Sequence, residues 1–150
     1  MDVQSFLKGF GYAAARTKYG VTASEIEAGL KKTESGCIVD CGSSIMLIVN
    51  ARRDGLVRTA AVAYAAEDEE EPLYSSGSQP AELLFENVCA QMLFALHNRM
   101  TKDLARRSLR KLGLYGKLLD GVQRSCRIDD YVYLMKMQPN GMILMVVSHN

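Results

Sequence analysis

PAELLFENVCAQMLFALHNRM, residues 80–100, is the stretch on which the fold turns. It reads as one long helix. Pro80 suits a first helical position, because its missing N–H would have no partner there and its fixed φ is already helical. Glu82 and Glu86 fall near the positive end of the helix dipole. Leu84, Phe85, Val88, Met92, Ala95 and Leu96 recur at spacings of three and four, which is one helical face. Leu83, Cys89 and Phe94 widen that face well beyond a narrow stripe. A helix this apolar is expected to be covered on two sides, by a sheet on one and by another helix or a partner chain on the other. His97, Asn98 and Arg99 crowd its last turn, where positive charge favours the dipole.

Working outward toward the N-terminus, residues 3–18 read as a helix with Phe6, Phe10, Ala13 and Ala14 on one side, stopped by Gly20. Thr22 and Glu25 form a capping-box pattern that opens a second helix. Ile26 and Leu30 face inward there, Lys31 and Lys32 close it, and Ser35-Gly36 marks the exit. Residues 45–49 and 56–66 are apolar runs separated by a turn-rich segment with Asp54-Gly55, a hairpin signal. Residues 67–71 are five consecutive acids, and the Ser/Gly/Pro-rich passage that follows makes 67–79 an acidic surface loop.

Toward the C-terminus, Thr101 caps a helix over 102–112 with Leu104, Ala105, Leu109 and Leu112 inward, and Gly113 ends it. A short helix follows at 117–126. A strand at 131–137, a Pro139-Asn140-Gly141 turn and a strand at 142–147 complete the chain. The order is ααββααββ. It implies a two-layer α+β fold: an antiparallel sheet of about four strands, built from two hairpins, with helices on one face. The outline is similar to small sheet-plus-helix platforms such as the roadblock and longin folds.

The 150 residues are expected to form one domain, and a chain of this length buries enough surface to need no staples. The net charge of +1 does not make the whole molecule a magnet for nucleic acid. No run approaches the ~18 apolar residues of a membrane span. Four cysteines without a secretory signal pattern imply free thiols and an intracellular, cytoplasmic protein that is not secreted. Lys8, Arg16 and Lys18 give segment 1–20 some likeness to a transit peptide, but its pattern reads as a structural helix.

Catalytic constellations are missing from the pattern. Gly9-x-Gly11-x-x-Ala14 matches the dinucleotide fingerprint in letters only, since no buried strand precedes it. Cys37 and Cys41 are four apart, while Cys89, Cys126, His97 and His149 are scattered singly, so neither a metal site nor a cofactor is expected. A Cys nucleophile is the remaining enzymatic possibility, and no residue pattern marks one.

Charge is more informative. Arg99, Lys102, Arg106, Arg107, Arg110, Lys111, Lys117, Arg124 and Arg127, set against Asp103 and Asp120, give residues 99–127 a net +7. Arg106, Arg107, Arg110 and Lys111 share one side of a helix, a face suited to phosphates or to an acidic protein unless residues 67–71 neutralise it. Gly113-Leu114-Tyr115-Gly116 follows it. The order helix, GxxG, helix, strand resembles the core of KH domains, whose loop clamps a nucleic-acid backbone. The resemblance spans about thirty residues and implies RNA binding by the basic set together with Gly113, Gly116 and Lys117. Residues 142–147 are apolar on both faces. This strand is therefore either central to the sheet or covered by a second chain, which makes Met142, Ile143, Leu144, Met145 and Val146 candidate oligomer contacts. The leading expectation is a non-catalytic protein–protein interaction module, a small subunit or adaptor of a homo- or hetero-oligomer. RNA binding is the alternative.

Overall fold

A computed structural model describes residues 1–65, 80–116, 122–138 and 141–149. Within them the chain runs α1 (Val3–Ala13), a 3-10 turn (Ala14–Arg16), α2 (Ala23–Gly29), β1 (Leu30–Thr33), β2 (Gly36–Gly42), β3 (Ile45–Ala51), β4 (Val57–Tyr64), α3 (Pro80–Leu96), α4 (Lys102–Lys111), β5 (Gln123–Ile128), β6 (Tyr131–Met137) and β7 (Ile143–His149). All seven strands form one antiparallel sheet in the order β1-β2-β3-β4-β7-β6-β5.

The two hairpins expected from sequence are there, as β3–β4 and β6–β7, and they join through β4 and β7. The α+β class therefore stands, but a four-stranded, two-hairpin sheet does not: three further strands extend it to seven. Lys31 and Lys32 do not close α2. They lie in β1, because the helix stops at Gly29 and Leu30 already has extended dihedrals. The segment after Gly36 is strand β2, with Cys37, Val39 and Cys41 turned inward. Its turn into β3 is Ser43-Ser44, both at positive φ (53° and 63°), which is type I′ geometry usually signalled by Asn-Gly. Gly36 is needed where it stands, since a Cβ there would lie 1.9 Å from the Val49 carbonyl oxygen. The helix expected over 117–126 is corrected as well. Residues 123–126 belong to β5, whose Arg124, Cys126 and Ile128 alternate inward against β6. Residues 66–79, with the acidic run, and 117–121 lie outside the described residues.

Helix α3 is the centre of the core. Phe85, Val88, Cys89, Met92 and Leu93 have no exposed surface, and the helix packs on α1, α4 and the sheet, as its two-sided apolar pattern requires. Thr22 and Glu25 do form the capping box of α2. Thr101 caps α4 by accepting from Leu104 N–H at 3.1 Å. Leu104 itself faces outward, and Ser108 takes the inward position beside Ala105 and Leu109.

One polar residue in this core is fully paired. Gln91, with no exposed surface, donates from Nε2 to the carbonyls of Phe10 (2.6 Å) and Val21 (2.8 Å) and accepts from Val21 N–H at 2.8 Å. It ties α3 to the end of α1 and to the segment leading into α2. Arg16 adds a second tie, donating to the Met100 carbonyl and lying 4.3 Å over the Phe94 ring.

Candidate functional site

Strand alternation divides the sheet into two unlike faces. Val39, Leu47, Val49, Val62, Tyr133, Met135, Met145 and Val147 point inward to the core. The residues between them point the other way. Registered across the strands, they form rows. One row runs Lys31, Ile38, Ile48, Ala61, Val146, Leu134, Ser125. The next runs Asp40, Met46, Ala63, Leu144, Lys136, Gln123. A third runs Asn50, Thr59, Ser148, Val132, Arg127.

The middle of this outer face is apolar across five strands, and its rim is polar. Ile38, Met46, Ile48, Leu134, Leu144 and Val146 belong neither to the buried core nor to the half-buried apolar residues packed against it. Every described helix contributes its buried residues to the core side. Five strands at about 4.8 Å spacing, each covering about 20 Å, make a face of roughly 500 Å², of which the apolar middle is about half; Met46 is exposed there and Ile38, Ile48, Leu134, Leu144 and Val146 are half-buried. Its centre line is low: Ala61 and Ala63 on β4 lie between the larger Ile48 and Met46 on one side and Val146 and Leu144 on the other. At one corner a hollow of about 450 Å³ is lined by Lys31, Ile38, Asp40, Ser43 and Met46 among others.

The candidate interface residues of the last strand are split by this geometry. Leu144 and Val146 lie on the outer face and Met142 is half-buried. Ile143 and Met145 are fully buried in the core and are no part of an outer surface. The strand is also not an edge, because β4 and β6 flank it and the edges are the polar β1 and β5. Alternation along 142–147 is the only sequence signal for this split, and it is silent because both sets of positions carry apolar side chains.

The basic set is divided: six of its cations sit on and beside α4, while Arg124 is half-buried on the inner side of β5 and Arg127 is exposed on the other side. Arg99, Lys102, Arg106, Arg107, Arg110 and Lys111 are exposed on and beside α4, and among the described residues none of them forms an ion pair. Arg106 lies 4.4 Å over the Tyr115 ring. The GxxG segment is less open than a nucleic-acid clamp. Leu114 is buried in the core, Gly113 turns the chain at φ 99°, and Gly116 alone of the two glycines is exposed. Lys117 lies outside the described residues, and strand β5 stands where the second helix of the KH-like order would run.

Two polar clusters around buried side chains carry no signal in the sequence. His97, expected as a helix-end cation, is 4% exposed. Its Nε2 lies in hydrogen-bond contact with the Tyr133 hydroxyl at 2.7 Å, and its Nδ1–H donates to Asp129 Oδ2 at 2.9 Å. The order carboxylate, imidazole, hydroxyl resembles a catalytic relay. The hydroxyl, however, belongs to a fully buried tyrosine whose pKa burial pushes well above its usual value. The cluster instead fastens the β5–β6 turn, where Asp129 sits at φ 52°, to the end of α3. The second cluster is Glu82 and Glu86, one turn apart on α3 and 0% and 3% exposed. Burial, and then the Glu82 carboxylate, push Glu86 up to about 7 against the pull of Arg106, and its Oε1 is without a hydrogen-bond partner among the described residues.

The three buried thiols, Cys37, Cys41 and Cys89, are poor nucleophiles in these surroundings. Burial raises Cys37, pushes Cys41 up to about 11 and raises Cys89 well above the usual thiol value. A reactive cysteine needs the opposite shift. Among the described residues no three His, Cys, Asp or Glu side chains are grouped as a metal would require, and no described helix is long and apolar enough to cross a membrane. No protein-family model, curated protein or solved structure matches the chain.

Proposed function

We propose that the protein is a non-catalytic protein–protein interaction module whose contact surface is the outer face of the sheet, and that its partner there is a second copy of the chain. The observation that carries this reading is the apolar field over β2, β3, β4, β7 and β6, which no described helix covers. Two such faces of roughly 500 Å² each, polar flanks included, bury about 1,000 Å² together, the lower bound for a specific interface.

The charge layout favours self-association over an unrelated partner. Homodimers are mostly twofold, so each residue must tolerate the one its own symmetry places opposite. A twofold axis running along β4 exchanges β2 with β6 and β3 with β7. It sets Ile38 against Leu134, Ile48 against Val146 and Met46 against Leu144, while Ala61 and Ala63 meet their own copies and allow close approach. The same operation sets Asp40 against Lys136, Lys31 against Ser125 and Thr33 against Arg127, so no like charges meet. The ammonium of Lys136 then enters the corner hollow beside Asp40. Aligned sheet packing adds a crossing of about −30° to this arrangement.

A charge-swap series tests the reading. Asp40→Lys alone and Lys136→Asp alone each place like charges at both ends of the interface, and each is expected to weaken the dimer about tenfold. The double variant restores the pairing and the affinity. Single variants that dimerise as tightly as the parent would reject the arrangement.

RNA binding through α4 is a second reading, supported by its exposed and unpaired cations. It requires an affinity for single-stranded RNA that falls steeply as salt rises. Salt-independent or undetectable binding at low salt would remove it.

A further inference from the structure

The sheet offers a second feature, on its inner face at the end away from the helices' cover. Arg58 on β4 lies one residue beyond the Thr59–Ser148 pair, and His149 on β7 pairs with Tyr131 on β6. These three side chains continue the inward positions of Ala60, Val147 and Tyr133, past the point where α3 ends at Leu96. They floor a cleft of about 240 Å³, walled by Phe6 of α1, Leu96 of α3 and Arg52 of the β3–β4 turn.

The lining combines two chemistries. Phe6, Ala60, Leu96 and Val147 are apolar, and the two rings at the floor are fixed edge to face, Tyr131 to His149 at 5.2 Å and Tyr131 to His97 at 5.4 Å. Arg52, Arg58 and His149 supply charged or chargeable groups, and no Asp or Glu is among the described lining residues. Arg52 holds an exposed pair with Asp54 at 2.9 Å, a link of little strength. Arg58 has no ion pair or hydrogen bond among the described residues. An unpaired guanidinium beside an apolar hollow is a matched receptor for an oxyanion, which it grips with two parallel N–H groups. The volume is below that of a drug-sized site, so the ligand is small.

We infer that this cleft binds a small organic anion, its carboxylate or phosphate on Arg58 and its apolar or aromatic body against Leu96, Phe6 and Tyr131. Of the outer-face rows only Thr59 and Ser148, at their polar end, are among the lining residues, and α4 contributes none, so the inference does not rest on the proposed function.

Four probes decide it by amide-shift titration of the full chain: phenyl phosphate, benzoate, benzyl alcohol and inorganic phosphate. Phenyl phosphate or benzoate is expected to saturate, with shifts centred on Thr59, Ala60 and Val147. Whichever of the two binds more tightly identifies the head group. Benzyl alcohol, which keeps the ring without the charge, and inorganic phosphate, which keeps the charge without the ring, are each expected to bind at least tenfold more weakly. Arg58 is exposed, so Arg58→Gln should keep the parent spectrum and lose at least tenfold in affinity for the aryl anion. The inference is overturned if neither aryl anion saturates. It is equally overturned if benzyl alcohol binds as well, if Arg58→Gln binds unchanged, or if the shifts fall on α4.

Discussion

Gln91→Leu is expected to destabilise the protein by about 4 kcal/mol. Leucine fills a similar volume, so the cost is not a cavity. It comes from three backbone groups, the carbonyls of Phe10 and Val21 and the N–H of Val21, which lose their partners at a site without exposed surface. Each orphaned group costs about 1–3 kcal/mol, so the three together cost about 3–9 kcal/mol, and partial relaxation of the segment before α2 brings the sum to the lower part of that range. Against a total stability of about 5–15 kcal/mol, this leaves a marginal fold. Urea unfolding monitored by circular dichroism reads the difference directly. A loss below about 1 kcal/mol would mean that Gln91 is not the tie between α1, α2 and α3.

The second large effect depends on pH. The Glu86 carboxyl has a raised pKa in the folded chain, about 7 against an ordinary 4.5. A raised acid holds its proton longer folded than unfolded. Its cost is therefore absent below about pH 4.5, grows as pH rises toward 7 and is constant above. Each tenfold difference in proton affinity between the folded and unfolded chains is worth about 1.4 kcal/mol, so the full loss is about 3 kcal/mol. Glu86→Gln keeps the shape of the protonated acid and cannot ionise. The variant should match the parent near pH 4.5 and exceed it by about 3 kcal/mol at pH 8. Unfolding curves at four pH values between these limits test it. Parallel pH profiles for the two proteins would show that Glu86 ionises in the fold without cost.

Much of the helical layer was legible because its signals are local. Thr22 with Glu25, Thr101 before α4 and the three-and-four spacing in 80–100 each specify a helix within a few residues. The strands divide differently. Two hairpins carry long β-rich runs and turn residues. The other three strands draw their shape from partners far away in sequence or from unmarked turns. LKKT is polar and becomes a strand by pairing with β2. Ser43-Ser44 makes a tight turn without the Asn or Gly that announces one. QRSCRI alternates only weakly, and its first four residues fall inside the stretch that reads as a helix over 117–126. The charges of α4 could be placed from spacing alone. The outer face could not, because it exists only once the registers of five strands are fixed, and two of its positions, Ile38 and Asp40, sit on a strand that the sequence did not announce. Gln91, His97 and Glu86 were invisible for a related reason: burial of a polar side chain is set by what folds over it.

The central claim is that the outer face of the sheet is an interface between two copies. Light scattering on a sizing column, run at low and high salt over a range of concentrations, tests it most directly. The expected result is a particle of about 33 kDa, twice the 16.6 kDa chain, that survives high salt because its middle is apolar, and that Ile48→Lys converts to a folded monomer. A parent protein that elutes at 16.6 kDa at every salt and concentration would contradict it.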